Sequence, residues 1–212
     1  MTVIAVVDYG MGNLRSVRKA LEHVGNGAVV EVTSAPERIL RADRVVLPGV
    51  GAIGDCMNEL HRLELVEALR EAAGSKPFLG VCLGMQALLD FSEENQGVDC
   101  LGVLPGKARR FPAELTTDAG LKVPHMGWNG VLQQGRHPLW RGIADNSRFY
   151  FVHSYYVEPA EAALAAGVTR YGFDFAAVVA RGNVFATQFH PEKSQRAGLD
   201  LLANFVRWDG SV

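Results

Sequence analysis

Apolar and polar positions along the first half of the chain alternate between two rhythms. Val3 to Asp8 is a short apolar run that ends in an acid and the turn Tyr9-Gly10-Met11-Gly12. Beyond it Leu14, Val17, Leu21 and Val24 recur at the spacing of a helix with one buried stripe. Ala28 to Val32 and Arg44 to Leu47 are further short runs of strand type, the second stopped by Pro48 and Gly49. Asp55 can cap a helix whose apolar positions include Met57, Leu60, Leu65 and Leu69. Phe78 to Val81 predicts a fourth strand, and Met85 to Phe91 a helix directly after it. Short strands alternating with helices predict βαβ units around a buried parallel sheet, with right-handed crossovers. In such sheets ligands bind at the carboxyl ends of the strands, where the unusual loops of this chain lie.

From about Gly106 to Gln188 the pattern changes to short strands separated by Gly and Pro turns. Arg148 to Val152, Ala162 to Thr169, Phe175 to Ala180 and Val184 to Gln188 are the clearest, and Arg181-Gly182-Asn183 fits a hairpin turn. A last helix follows Ser194, with Leu201, Leu202, Phe205 and Val206 on one side. The pattern predicts a three-layer α/β fold, a mostly parallel sheet flanked by helices with an antiparallel extension. With no repeat, low-complexity tract or linker, residues 1–212 read as one domain.

Composition narrows the classes. Of 212 residues, 21 are basic and 23 acidic, a net charge of −2, which excludes the basic excess of a nucleic-acid binder. A hydrophobic share of 48% against 21% charged fits a folded globular chain and argues against disorder. No apolar run approaches the ~18 residues of a membrane span. The opening MTVIAVVDYG has neither a basic n-region nor a small-residue cleavage pattern, so a cytoplasmic location is expected. Three cysteines, Cys56, Cys82 and Cys100, lack the CxxC spacing of a zinc site and fit no disulfide framework.

Their surroundings separate the three. Gly80-Val81-Cys82-Leu83-Gly84 follows an apolar strand and precedes a helix pattern, the arrangement of a nucleophile elbow. Glycine two places either side lets neighbouring backbone pass close to the nucleophile. The helix N-terminus favours a thiolate, and the Leu83 N–H can meet a developing oxyanion. A buried structural cysteine is the bland alternative, and the paired glycines count against it. Gln188-Phe-His-Pro-Glu-Lys-Ser194 supplies a base, His190, and an orienting carboxylate, Glu192, which two residues on in an extended chain lies on the same side. Pro48-Gly49-Val50-Gly51 follows a strand, and its glycines permit N–H groups to turn inward as oxyanion donors. A plain turn is an equal reading.

Together GVCLGMQ, FHPEKS and PGVGA resemble the nucleophile, His/Glu and oxyanion motifs of the class I, triad-type glutamine amidotransferases, over a span from Tyr9 to Ser194. The segments Asp8–Leu14, Pro124–Asn129 and Tyr150–Tyr155 are similar to the branch of that family that serves histidine biosynthesis. The resemblance implies a flavodoxin-like core and hydrolysis of L-glutamine to glutamate and ammonia, with no cofactor and no metal. It implies a heterodimer with a separate (β/α)₈-barrel cyclase that forms imidazole glycerol phosphate and AICAR. It assigns Cys82 as nucleophile, His190 as proton carrier and Glu192 as its orienter. Oxyanion contacts would come from Gly49, Val50, Gly51 and Leu83, and substrate contacts from Gln86, Glu94, Ser154 and Tyr155. Asn13, Trp128 and Lys193 would meet the partner.

Without the resemblance, Gln86 and Glu94 read as ordinary helix and loop positions. The Gly-x-Gly at Gly10–Gly12 lacks the third glycine of a dinucleotide loop and fits a subunit contact better. His125 and Trp128 read as loop-packing residues, and spacing assigns His153 no role. His23, His61 and His137 read as surface residues, and Cys56 and Cys100 as inert. Two alternatives stay open: an amidotransferase subunit of another pathway, such as anthranilate or aminodeoxychorismate synthesis, and a non-catalytic module whose Cys82 is a redox thiol.

Overall fold

In the computed structural model, which describes residues 1–117 and 120–212, the first half is a run of alternating strands and helices. The order is β1 (Val3–Val7), α1 (Leu14–Val24), β2 (Val29–Thr33), α2 (Pro36–Arg41), β3 (Arg44–Gly49), α3 (Ile53–Arg62), α4 (Leu65–Ser75), β4 (Phe78–Cys82) and α5 (Leu83–Ala87). Two short strands, β5 (Phe91–Ser92) and β6 (Val98–Asp99), lead to β7 (Gly106–Arg110), α6 (Glu114–Thr117), β8 (His125–Gln133), β9 (Ser147–His153) and β10 (Tyr155–Pro159). The chain closes with β11 (Ala165–Tyr171), β12 (Phe173–Arg181), β13 (Val184–Thr187) and α7 (Gln195–Arg207).

The parallel core runs β2-β1-β3-β4-β13, in register through Val3↔Val29, Ile4↔Arg44, Val45↔Phe78 and Phe78↔Val184. From β13 the sheet continues antiparallel through β12, β10 and β7, while β11, β8 and β9 extend from β12. Alternation along the core strands separates two apolar layers. Ala5, Val7, Val45 and Leu47 pack under α3 and α4, whereas Ile4, Val6, Val46 and Leu79 pack under α1 and α7. Being covered on both faces explains why these strands read as unbroken apolar runs. Arg44 ties the end of α7 to the sheet by donating to the Phe205 and Trp208 carbonyls, at 3.2 and 2.6 Å. No helix among the described residues is long and apolar enough to cross a membrane.

Several expected boundaries shift. The single helix expected from Met57 to Leu69 is two helices, because Glu64 takes a left-handed conformation at φ 56° between them. Asp55 lies in the first turn of α3, and the cap position is Ala52. The helix after Cys82 ends at Ala87, and Phe91 starts a strand instead of closing that helix. The stretch expected as strand from Ala162 begins as a 3-10 turn, so β11 starts at Ala165. His125 and Trp128, read as loop-packing residues, lie instead in the nine-residue strand β8. His137, expected at the surface, is buried against Phe185 and Trp208, its Nδ1 accepting the Leu139 N–H at 3.1 Å.

Candidate active site

Four strand ends converge at the carboxyl edge of the core. β4 delivers Cys82 at the point where strand becomes helix, with φ 54° and ψ −108°, a conformation few non-glycine residues adopt. Crowding by its neighbours holds the turn there. A Cβ on Gly80 would come within 2.8 Å of Leu88 Cδ1 and 3.0 Å of Ala186 Cβ, and one on Gly84 would overlap the Leu47 carbonyl of β3. The two glycines therefore let strand and helix press against β3 and β13, and the strain at Cys82 is maintained by that packing.

The Cys82 thiol, 6% exposed, lies 3.8 Å from the Val152 carbonyl and 3.8 Å from Gln188 Nε2. His190 follows β13 by three residues and starts a 3-10 turn over Pro191–Lys193. That turn, and not an extended run, brings Glu192 beside it, with His190 Nδ1 2.9 Å from Glu192 Oε1 and each side chain 2% exposed. Nε2 of His190 has no hydrogen-bond partner among the described residues, which leaves it free toward the thiol. Burial works to lower the His190 pKa, but Cys82 and Glu192 outweigh it and raise the value to about 9. The ring is thus protonated at neutral pH. Burial pushes the Cys56 and Cys100 thiols up to about 12, which disfavours their thiolates.

One residue the motif reading missed fixes this arrangement. The Ser194 hydroxyl donates to the His190 carbonyl at 2.6 Å and accepts the Tyr150 N–H at 3.0 Å, while the His190 N–H reaches the Tyr150 carbonyl at 2.9 Å. The histidine backbone is thereby clamped to β9. Only the nearness of Ser194 to the His/Glu motif hinted at this.

Cys82 and His190 open on a cavity of about 260 Å³, also lined by Val50, Gly51, Leu83, Gln86, Glu94, Ser154 and Tyr155. Gly49 does not line it. As the last residue of β3 it pairs with Cys82, and a Cβ there would overlap the Tyr9 hydroxyl, which donates to the Pro48 carbonyl at 2.9 Å. Gln86, expected on a surface by its spacing alone, is buried and donates to the Tyr155 carbonyl and to Gln188 Oε1. Glu94 is half-buried and accepts the Ile53 N–H at 2.9 Å, where α3 begins. His153, without a role by spacing, also faces the cavity. Such a wall can hold a small zwitterion and present its far end to the thiol.

The three expected partner residues lie outside the cavity. Asn13 caps α1 by accepting the Ser16 N–H, and α1 packs on the Pro191–Lys193 turn. Trp128, 37% exposed, stands edge-on to Tyr150 at 6.0 Å and shares a shallow surface hollow with Ser194, the residue after Lys193. Among the described residues no group of three or more His, Cys, Asp or Glu side chains is placed to hold a metal ion.

Residues 5–208 match the family model of class-I glutamine amidotransferases. A protein of Nitrosococcus oceani named imidazole glycerol phosphate synthase subunit HisH is 60% identical over 210 residues, covering 99% of both chains. One of the same name from Nitrosospira multiformis is 61% identical over 211 residues, covering 98% of this chain and 99% of its own. Among solved structures, that of PurLQS from Thermotoga maritima superposes with a TM-score of 0.75 at 18% identity, covering 97% of this chain and 98% of its own. A putative GMP synthase protein from Thermoplasma acidophilum superposes with a TM-score of 0.71 at 19% identity, covering 98% of this chain and 93% of its own. At these identities the two structures establish a shared fold.

Proposed function

The chain belongs to the class-I glutamine amidotransferase family, and we propose that it is the glutaminase subunit of imidazole glycerol phosphate synthase, supplying ammonia for histidine biosynthesis. The observation that carries the chemistry is the opening of a strained Cys82 and a Glu192-backed His190 on one small cavity. The observation that carries the pathway is full-length identity near 60% to chains of that name.

In this reading Cys82 Sγ attacks the side-chain amide carbon of L-glutamine. Negative charge grows on the amide oxygen, and N–H groups of Leu83, Val50 and Gly51, all at the cavity wall, receive it. His190 gives its proton to the departing nitrogen, so the carbon–nitrogen bond breaks to leave ammonia and a thioester on Cys82. His190, now neutral, takes a proton from the water that hydrolyses the thioester, releasing glutamate and the thiol. Glu192 holds the imidazole in register throughout. Gln86, Glu94, Ser154 and Tyr155 hold the amino-acid end of the substrate, with the Glu94 carboxylate available to its ammonium.

Free ammonia would be lost to solvent, so release is coupled to a cytoplasmic partner, a (β/α)₈-barrel cyclase bound as a heterodimer. Its contact includes Asn13, Trp128 and Lys193. Val50, 38% exposed at the cavity wall, is where docking can act on the oxyanion loop, which makes glutamine hydrolysis slow in the isolated chain and fast in the complex. In the reconstituted complex, Cys82→Ala should abolish glutamine-dependent synthesis and leave synthesis from added ammonium salt intact. Normal use of glutamine by that variant would refute the assignment.

A further inference from the structure

Two histidines outside the triad form a chain of hydrogen bonds that ends on the cavity wall. His125 on β8 and His153 on β9 are paired across the ladder and buried, at 3% and 6% exposure. His125 Nδ1 lies 2.9 Å from His153 Nε2, and His153 Nδ1 lies 2.8 Å from the Tyr155 carbonyl oxygen. Asn129 Nδ2 approaches His125 Nε2 at 3.4 Å. Burial lowers the His125 pKa to about 4 and that of His153 to about 3, so both rings are neutral at physiological pH.

Neutrality makes the chain directional. A carbonyl oxygen only accepts, so His153 must carry its hydrogen on Nδ1. Its Nε2 is then bare and accepts from His125 Nδ1–H, which leaves His125 Nε2 to accept from the Asn129 amide. Every link points toward Tyr155. The Tyr155 carbonyl also accepts from Gln86 Nε2 at 3.2 Å, Gln86 Nε2 donates to Gln188 Oε1 at 3.0 Å, and Gln188 Nε2 lies 3.8 Å from Cys82 Sγ. The polar path is therefore continuous from β8 to the nucleophile.

We propose that His125 and His153 are positioning residues for glutamine, with His125 holding His153 in its Nδ1–H tautomer and His153 fixing the Tyr155 carbonyl and hence the Ser154–Tyr155 wall of the cavity. The inference rests on the glutaminase reading and adds to it a specificity device outside the triad. The alternation of β8 suits it: His125 and Asn129 face inward, while Met126 and Trp128 are exposed on the other side.

The test has two parts. In long-range ¹H–¹⁵N spectra of the full wild-type chain, His125 and His153 should both carry their hydrogen on Nδ1. Kinetics of glutamine hydrolysis in the complex should show KM raised about tenfold by His125→Leu with kcat within twofold. His125→Asn should restore KM, because its amide nitrogen takes the place of Nδ1. A role confined to packing would move stability and leave KM alone. An Nε2–H tautomer at either histidine, or a KM within twofold of wild type for His125→Leu, overturns the proposal. If the leucine variant does not fold, the wild-type tautomers decide. Tautomers are read without turnover, so their failure is distinct from a failure of Cys82→Ala to abolish glutamine use.

Discussion

Cys82 is held at φ 54° by its surroundings, and His190 is held at Nδ1 by a single carboxylate. Replacing Glu192 with glutamine removes the charge and keeps the shape. The expected outcome is a loss of about hundredfold or more in kcat, since an imidazolium without its carboxylate is costlier to form. The same change acts on stability. The folded-state pKa of His190, about 9, lies above the ~6.5 of an unfolded histidine, so its contribution is fully present below pH 6.5 and disappears as pH rises through 9. Denaturant titrations should therefore find Glu192→Gln more destabilising at pH 6 than at pH 10. At this scale Cys82 was legible because an elbow needs glycines at fixed offsets. Ser194, His153 and the burial of His137 were not, since their partners, Tyr150, His125 and Phe185, are distant in sequence.

The elements succeed or fail as packing units. The turn from β4 to α5 fits only because Gly84 lets the helix meet the Leu47 carbonyl, so Gly84→Ala must displace β3 or the helix. Overpacking of this kind costs ~1–3 kcal/mol, measurable as a lower denaturation midpoint, and it should lower activity with it because the elbow moves. The parallel core was readable from its apolar runs, as each strand is covered on both faces. β8 was not, because Gly127 and Gly130 and its exposed Met126 and Trp128 give it the composition of a loop. The break between α3 and α4 was also hidden: Glu64 takes a left-handed conformation that its type does not announce.

Across the whole molecule, three of the four buried histidines, His125, His137 and His153, weaken the fold in acid. Burial lowers His125 and His137 to about 4 and His153 to about 3, all below the ~6.5 of the unfolded chain. Between these limits the unfolded state binds more protons, so stability falls as pH is lowered from about 6.5 toward 4. Proton uptake on unfolding should approach three from these groups, and the slope of stability against pH measures it. A flat profile over that window would mean the rings are solvated. The sequence pattern anticipated the layered sheet, the strand-to-helix turn at Cys82 and the nearness of Glu192 to His190, while the hydrogen-bonded wall of the cavity emerges only when β8, β9 and β10 are brought together.

The proposed function makes Cys82, alone among the three cysteines, a nucleophile toward glutamine. Its most direct test is peptide mass mapping after the cyclase-bound chain is treated with a chloroketone analogue of glutamine. One adduct on Cys82, slowed by added glutamine and lost in Cys82→Ala, is the predicted result. Equal labelling of Cys56, Cys82 and Cys100, or labelling of Cys82 that glutamine does not slow, would contradict it.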